Sequence, residues 1–398
     1  MQSVILVITA TPGMAHALRL ALSSTSGNKP KVLATGGALF RHCSPKEYHL
    51  KWDKWRTEDL PLLPEPRFRP RPGTTEKIRE CKTAIARSDR VILAPPPDPA
   101  GLMDLQLLLD FVGFDGDVTV WDTTSLRDAD LARSIAHPRK DVTHWAQTEQ
   151  LRVHADWLIG LNGSRAMTLF GRVSTAIPVG RVLSAMLSTF PVNDASVFRQ
   201  SESEMDTAIL QARMLREFNH SPEDTLMLLS RAWESGHITY PFINGPGKIT
   251  LLRKDPGRFG SLYAAFQGEG SRENSPSDLL ADWLESLRDV TPWVQDPSLK
   301  LSARHVQLGS ARGRMNHFAQ LVKNEWVDRS AMKLTPLGQK IHQKLPESLT
   351  DMGMTVLWAQ ALDSLARSEK NAFESQLLAF RSWADKYVVD LVSLLGKG

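Results

Sequence analysis

The first 125 residues alternate short apolar runs with helical patterns, and this limits the start of the chain to a mainly parallel sheet covered by helices. The runs fall at Val4–Ile8, Lys31–Thr35, Arg90–Ala94 and Asp117–Trp121. Between them lie helical patterns at Met14–Leu22, Thr75–Ala86 and Leu102–Val112, the last stopped by Gly113. Ligands of such sheets sit beyond the carboxyl ends of the strands, so the residues after Ile8 and after Leu93 come first for inspection. Val4–Ile8 reads as a buried strand rather than a leader, because it follows no basic stretch and Thr11-Pro12-Gly13 cuts the apolar run short.

From Ser125 onward the pattern is mostly helical. Val142–Ile159 and Asp206–Phe218 are amphipathic. Ser221 reads as an N-cap, with Pro222 at the first helical position and Glu223 and Asp224 in the first turn. Leu226, Leu229 and Trp233 form the stripe of that helix, and Gly236 ends it. His237-Ile238-Thr239-Tyr240-Pro241 then leaves in extended form, since a residue before proline avoids the α region. Gly245-Pro246-Gly247 reads as a turn and Gln267–Ser277 as a loop. Helices near Thr355–Arg367 and Ala372–Leu395 follow. Pro61–Gly73, with Arg67, Arg69 and Arg71 among its prolines, is either a stiff solvated connection or a basic strip facing phosphates.

A length of 398 residues implies more than one core. No run approaches eighteen apolar residues, so a membrane-spanning helix is not expected, and the reading is of a cytoplasmic protein with no membrane partner. Cys43 and Cys81 are too few for a disulfide framework or a four-cysteine zinc site. Lys plus Arg minus Asp plus Glu is 48 − 44 = +4, a balance that tolerates a polyanionic partner without requiring one. Eleven tryptophans against four tyrosines is unusual, and some of them are candidates for stacking on bases.

Six segments, in order, carry a resemblance. They are Gly36-Gly37-Ala38-Leu39-Phe40 with Tyr48 and Trp55–Pro61; Ala155-Asp156-Trp157-Leu158-Ile159-Gly160-Leu161-Asn162-Gly163-Ser164-Arg165-Ala166; Val179-Gly180-Arg181-Val182; Ile238-Thr239-Tyr240-Pro241; Gly309-Ser310-Ala311-Arg312-Gly313-Arg314; and Leu334-Thr335-Pro336-Leu337-Gly338 with Leu345-Pro346 and Trp358. Together they resemble the type IA DNA topoisomerases, and topoisomerase III in particular.

The resemblance implies a multidomain α+β fold. Residues 1–125 would form a Toprim-like α/β domain, 126–200 the first part of a helical DNA-groove domain, 201–330 the tyrosine-bearing domain, and 331–398 the second part of the helical domain. It also implies an isomerase that cuts one DNA strand through Tyr240, uses Mg²⁺, and acts on single-stranded DNA, alone or with other DNA-processing proteins. Arg165, Arg181, Arg312 and Arg314 would contact nucleic acid, and Asp98 would be what is left of the metal site.

Several positions depart from the family pattern. Ala10 and Thr11 replace its first Glu and Lys, and Pro96 and Ala100 replace two of three metal-site acids. Phe242 replaces the Arg after Tyr-Pro, and Asn244 a later Asp. The stretch between Val182 and Ala208 is too short for the arch that closes the family's ring. A phenol with a pKa of about 10 is a poor nucleophile at neutral pH and needs activation. Phosphoryl transfer also needs cations around its oxygens, and Mg²⁺ is seldom held by one Asp. The leading expectation is a degenerate, DNA-binding relative with impaired cleavage, a pseudoenzyme. The alternatives are an active topoisomerase and a structural, protein-binding subunit. Tyr240 on its own is equally a packing residue, Asp98 a turn residue, and each arginine a salt-bridge partner.

Overall fold

A computed structural model describes residues 4–23, 29–140, 143–192, 205–243, 248–268, 277–304 and 306–397. Much of the short connection between Val182 and Ala208, Asn244 with the turn 245–247, and most of the loop 267–277 lie outside those residues.

The first unit contains β1 (Ile5–Thr9), β2 (Lys31–Ala34), β3 (Phe40–His42), β4 (Phe68–Pro70), β5 (Arg90–Ala94) and β6 (Asp117–Val120). Four of these form an all-parallel sheet in the order β2-β1-β5-β6. Both faces are covered, which is why its strands read as continuous apolar runs rather than alternating ones. One face packs on helices Thr75–Ile85 and Pro99–Val112 through Ile78, Cys81, Leu105 and Leu108. The other face, with Val7, Ile92, Ala94 and Trp121, packs on Met14 and Leu18 of helix Pro12–Ser23.

That second face continues without a break into Leu210, Leu229, Trp233, Ile238 and Tyr240, so the sheet and the tyrosine-bearing segment share one core. The largest core belongs to the helical bulk. Helix Thr143–Phe170, 28 residues long, runs through it beside the equally long Lys370–Lys397. A small pair, β7 (Val327–Asp328) and β8 (Lys333–Leu334), precedes helix Pro336–Lys344. Among the described residues no helix is long and apolar enough to cross a membrane.

The proline-rich stretch runs along the surface with Arg67, Arg69 and Arg71 exposed, as a solvated connection would, and it also carries a short strand. Its residues Phe68–Pro70 pair antiparallel with Phe40–His42, and its arginines are engaged locally. Arg67 lies 4.6 Å over the Tyr48 ring, Arg69 pairs with Glu47 at 3.1 Å, and Arg71 donates to the Phe40 carbonyl at 2.7 Å.

Candidate active site

The carboxyl end of the sheet is where distant parts of the chain meet. After β5, Pro95-Pro96-Pro97 runs into Asp98, which caps helix Pro99–Val112 by accepting from the Gly101 N–H at 2.6 Å. Pro99 at the first helical position needs no N–H there. A side chain on Gly101 would run into Pro96 at 2.9 Å, so the turn that presents Asp98 is tight.

Tyr240 reaches the same point from the other unit. Helix Pro222–Glu234 is capped by Ser221, whose Oγ accepts from Asp224 N at 3.0 Å, and the chain turns at Gly236 with φ of 69°. The extended segment after it is fixed on both edges. Thr239 N donates to the Thr250 carbonyl at 3.1 Å, and Tyr240 N to the Thr124 carbonyl at 2.7 Å. The Tyr240 ring stands edge-on to Trp233 at 5.0 Å and to Phe242 at 5.6 Å, and its hydroxyl donates to the free oxygen of Asp98.

The electrostatics follow from that burial. Tyr240 is 7% exposed, and burial, followed by the adjacent carboxylate, pushes its phenol well above the ordinary range. Burial also raises Asp98, against the opposing pull of the Tyr240 and backbone hydrogen bonds. Arg312, exposed near the start of helix Ala311–Lys323, acts on both groups and favours their charged forms. Three of the six expected site residues, Tyr240, Asp98 and Arg312, therefore share one cluster.

The residues present do not fit Mg²⁺. Both Asp98 oxygens are engaged, and among the described residues no three His, Cys, Asp or Glu side chains gather where an ion would sit. The nearest further acid on that helix, Asp104, accepts from the Leu39 and Phe40 N–H groups and fixes the loop after β2. At the end of β1 the Ala10 carbonyl accepts from Gly36 and Gly37, both at 3.0 Å. Those glycines adopt φ of 82° and 126°, in the region that side chains disfavour.

The other three arginines expected to contact nucleic acid, Arg165, Arg181 and Arg314, are engaged within the protein. Arg165 is 1% exposed, donates to the Trp52 carbonyl at 2.6 Å and lies 5.4 Å from the Trp55 ring. Arg314 is also 1% exposed, donates to the Gly309 carbonyl at 3.0 Å, and is lowered to about 10 by burial. Arg181 pairs with Asp156, with Nε to Oδ1 at 2.8 Å, and its guanidinium sits 5.0 Å from the Trp358 ring. In this conformation Arg165 and Arg314 offer no guanidinium to solvent.

Sequence reasoning missed what helix Thr143–Phe170 does with those residues. Three buried polar side chains on it grip the segment between β3 and Leu62. His154 Nδ1 meets His42 Nε2 at 2.8 Å, Asn162 bonds both backbone groups of Leu62, and Arg165 holds Trp52. The steps of four, four and three residues through His154, Leu158, Asn162 and Arg165 trace one helical face, the signal that would have marked these side chains as inward. Two of the six resembling segments thus meet directly where Arg165 lies against Trp55, and the residues flanking them make the remaining contacts.

No family model matches the chain. A 181-residue stretch is 27% identical to DNA topoisomerase 3 of Salmonella typhimurium, covering 43% of this chain and 28% of that protein. A 237-residue stretch is 23% identical to DNA topoisomerase 3 of Haemophilus influenzae, covering 56% of this chain and 36% of that protein. The match thus spans little more than a third of these relatives at most. Among solved structures, full-length topoisomerase I of Thermotoga maritima superposes with a TM-score of 0.64 over 96% of this chain and 90% of that one, at 11% identity. The chain is type IA topoisomerase-like, with a small parallel sheet followed by mostly helical units.

Proposed function

We propose that this type IA topoisomerase-like chain is a degenerate relative that binds single-stranded DNA and cuts it poorly or not at all. DNA binding rests on the likeness to topoisomerases, and the observation that carries impaired cleavage is the state of Tyr240. Its hydroxyl is tied to Asp98 inside an apolar wall, with Arg312 as the cation acting on the pair. Attack on a phosphodiester requires the phenol to lose its proton and the phosphoryl oxygens to gain neutralising partners. Burial opposes the first requirement, and among the described residues Arg312 is the cation that acts on the pair, which meets little of the second. Loss of one such donor costs about a hundredfold to a thousandfold in rate. A cytoplasmic setting and partners among DNA-processing proteins go with this reading.

One observation favours a second reading, an active topoisomerase. A carboxylate bonded to a tyrosine hydroxyl is placed to take its proton, and the pair sits at the carboxyl end of a parallel sheet. A plasmid assay with Mg²⁺, wild type beside Tyr240→Phe, decides between them. No relaxation and no covalent DNA adduct from either protein is expected. Relaxation by the wild type that Tyr240→Phe abolishes would overturn the degenerate reading. Binding to single-stranded DNA should exceed binding to duplex and weaken as salt rises. Absence of any nucleic-acid binding would instead favour a structural, protein-binding subunit.

A further inference from the structure

We propose that Trp55 is a base-stacking platform for single-stranded DNA, held in position by the buried Arg165. The inference rests on the DNA-binding reading above and adds the residue that meets a base.

Trp55 is 38% exposed, in a chain where Trp233, Trp283 and Trp358 are buried to 2% or less. An indole left at the surface costs free energy unless something covers it. Trp55 is also held from below. The Arg165 guanidinium lies 5.4 Å from its ring centroid and donates to the Trp52 carbonyl, so one side chain secures both ends of the Trp52–Trp55 turn. Arg165 Nε and Nη1 have no hydrogen-bond partner among the described residues, although the side chain is 1% exposed. Burying a cation with two unmet donors is costly. The contact with Trp55 and the charges of Asp53 and Asp59 offset part of that cost.

The surroundings favour stacking over phosphate capture. Between residues 51 and 59, Lys51, Lys54 and Arg56 are balanced by Asp53, Glu58 and Asp59. Lys51 sits 3.3 Å from Asp59. Such a surface has little net field to draw a backbone, but an aromatic face on a fixed turn accepts any base. At the other end of the turn, His49 and Tyr48 lie 6.1 and 6.2 Å from the Trp52 ring.

The test measures binding of a short thymine oligonucleotide and of an abasic oligonucleotide of equal length and charge. Wild type, Trp55→Ala and Trp55→Phe are compared, after equal melting curves show that all three are folded. Trp55→Ala should lose roughly 5- to 150-fold in affinity for the thymine strand. It should bind the abasic strand as the wild type does, and Trp55→Phe should keep most of the affinity. A wild type that binds while Trp55→Ala binds equally well, or an equal loss on both strands, overturns the stacking site alone. A wild type that binds neither strand overturns this proposal together with the DNA-binding reading. Arg165→Lys keeps the charge but not the fork geometry, so it should weaken thymine binding selectively. Unchanged binding by that variant would overturn the positioning role given to Arg165.

Discussion

Asn162 bonds Leu62 by both of its backbone groups, accepting from its N–H at 2.6 Å and donating to its carbonyl at 2.9 Å, across a hundred residues of chain. A second donation from the same amide nitrogen, to the Leu158 carbonyl at 2.9 Å, fixes its rotamer. Asn162→Leu would leave both Leu62 groups buried and unpaired. The expected cost is about 1–3 kcal/mol per orphaned group, read as a lower urea midpoint at unchanged slope. The stretch 40–62 should also become the first site of proteolysis, and a midpoint equal to wild type would show that this contact does not hold the segment.

Gly338 permits no side chain. A Cβ there would sit 2.0 Å from the Trp326 carbonyl oxygen, which is backbone and already accepts from Thr335 N at 3.0 Å. Thr335 in turn caps the helix, accepting from Gly338 N at 3.0 Å. Gly338→Ala should therefore cost at least about 1–3 kcal/mol, as overpacking against an immovable neighbour does. Thermal melting checks it, and a melting point matching wild type would rule out the close approach.

All four tyrosines are shifted upward by burial. Tyr48 and Tyr387 are pushed to about 12, Tyr263 is raised, and Tyr240 is raised furthest. An alkaline titration of the folded protein should show clearly less than half the tyrosinate at pH 10, where free tyrosine is half ionised. Asp98→Asn removes the negative charge beside Tyr240 and should bring one tyrosine down, with the other three unmoved. An ordinary tyrosine curve for the wild type would contradict the buried Tyr240 geometry.

His154 gives the stability a pH dependence of known sign. Burial lowers it from 6.5 to about 4, and its partner His42 is lowered in the same sense. A histidine kept neutral by folding stabilises fully above about pH 6.5, and that contribution is lost as pH falls toward 4. The ceiling is about 3 kcal/mol for this one group. Melting points measured between pH 7 and 4.5 should fall more steeply for the wild type than for His154→Gln. Parallel curves would remove the histidine pair from the account.

The parallel sheet was legible because its strands are buried on both faces and so appear as whole apolar runs, such as Arg90–Ala94. Helix starts were legible where a cap and a proline coincide, as at Ser221 and Pro222. The resemblance named Tyr240 and Asp98 as site residues and the rule on sheet ends pointed to the chain after Leu93, but the hydrogen bond that joins the two was not legible. The depth of the arginines was not legible. Arg165 and Arg181 look alike as letters in matching segments, yet one is sealed under Trp55 and the other forks onto Asp156. A motif records which residue is present and not which way it points. The face it shares with Leu158 and Asn162 was the available clue.

The core common to the sheet and the tyrosine segment sets how Tyr240 can be reached. Val7, Ile92 and Trp121 from the sheet lie in the same apolar mass as Leu229, Trp233 and Tyr240. Freeing the phenol is therefore fission of a hydrophobic interior and not the swing of a lid, and its free-energy cost is of the same kind as that of unfolding. Amide protons of Thr239 and Tyr240, both donated to backbone carbonyls, should exchange with solvent about as slowly as those of β1 and β5. The hydroxyl would then meet water at a frequency set by how often the two halves of that interior part company.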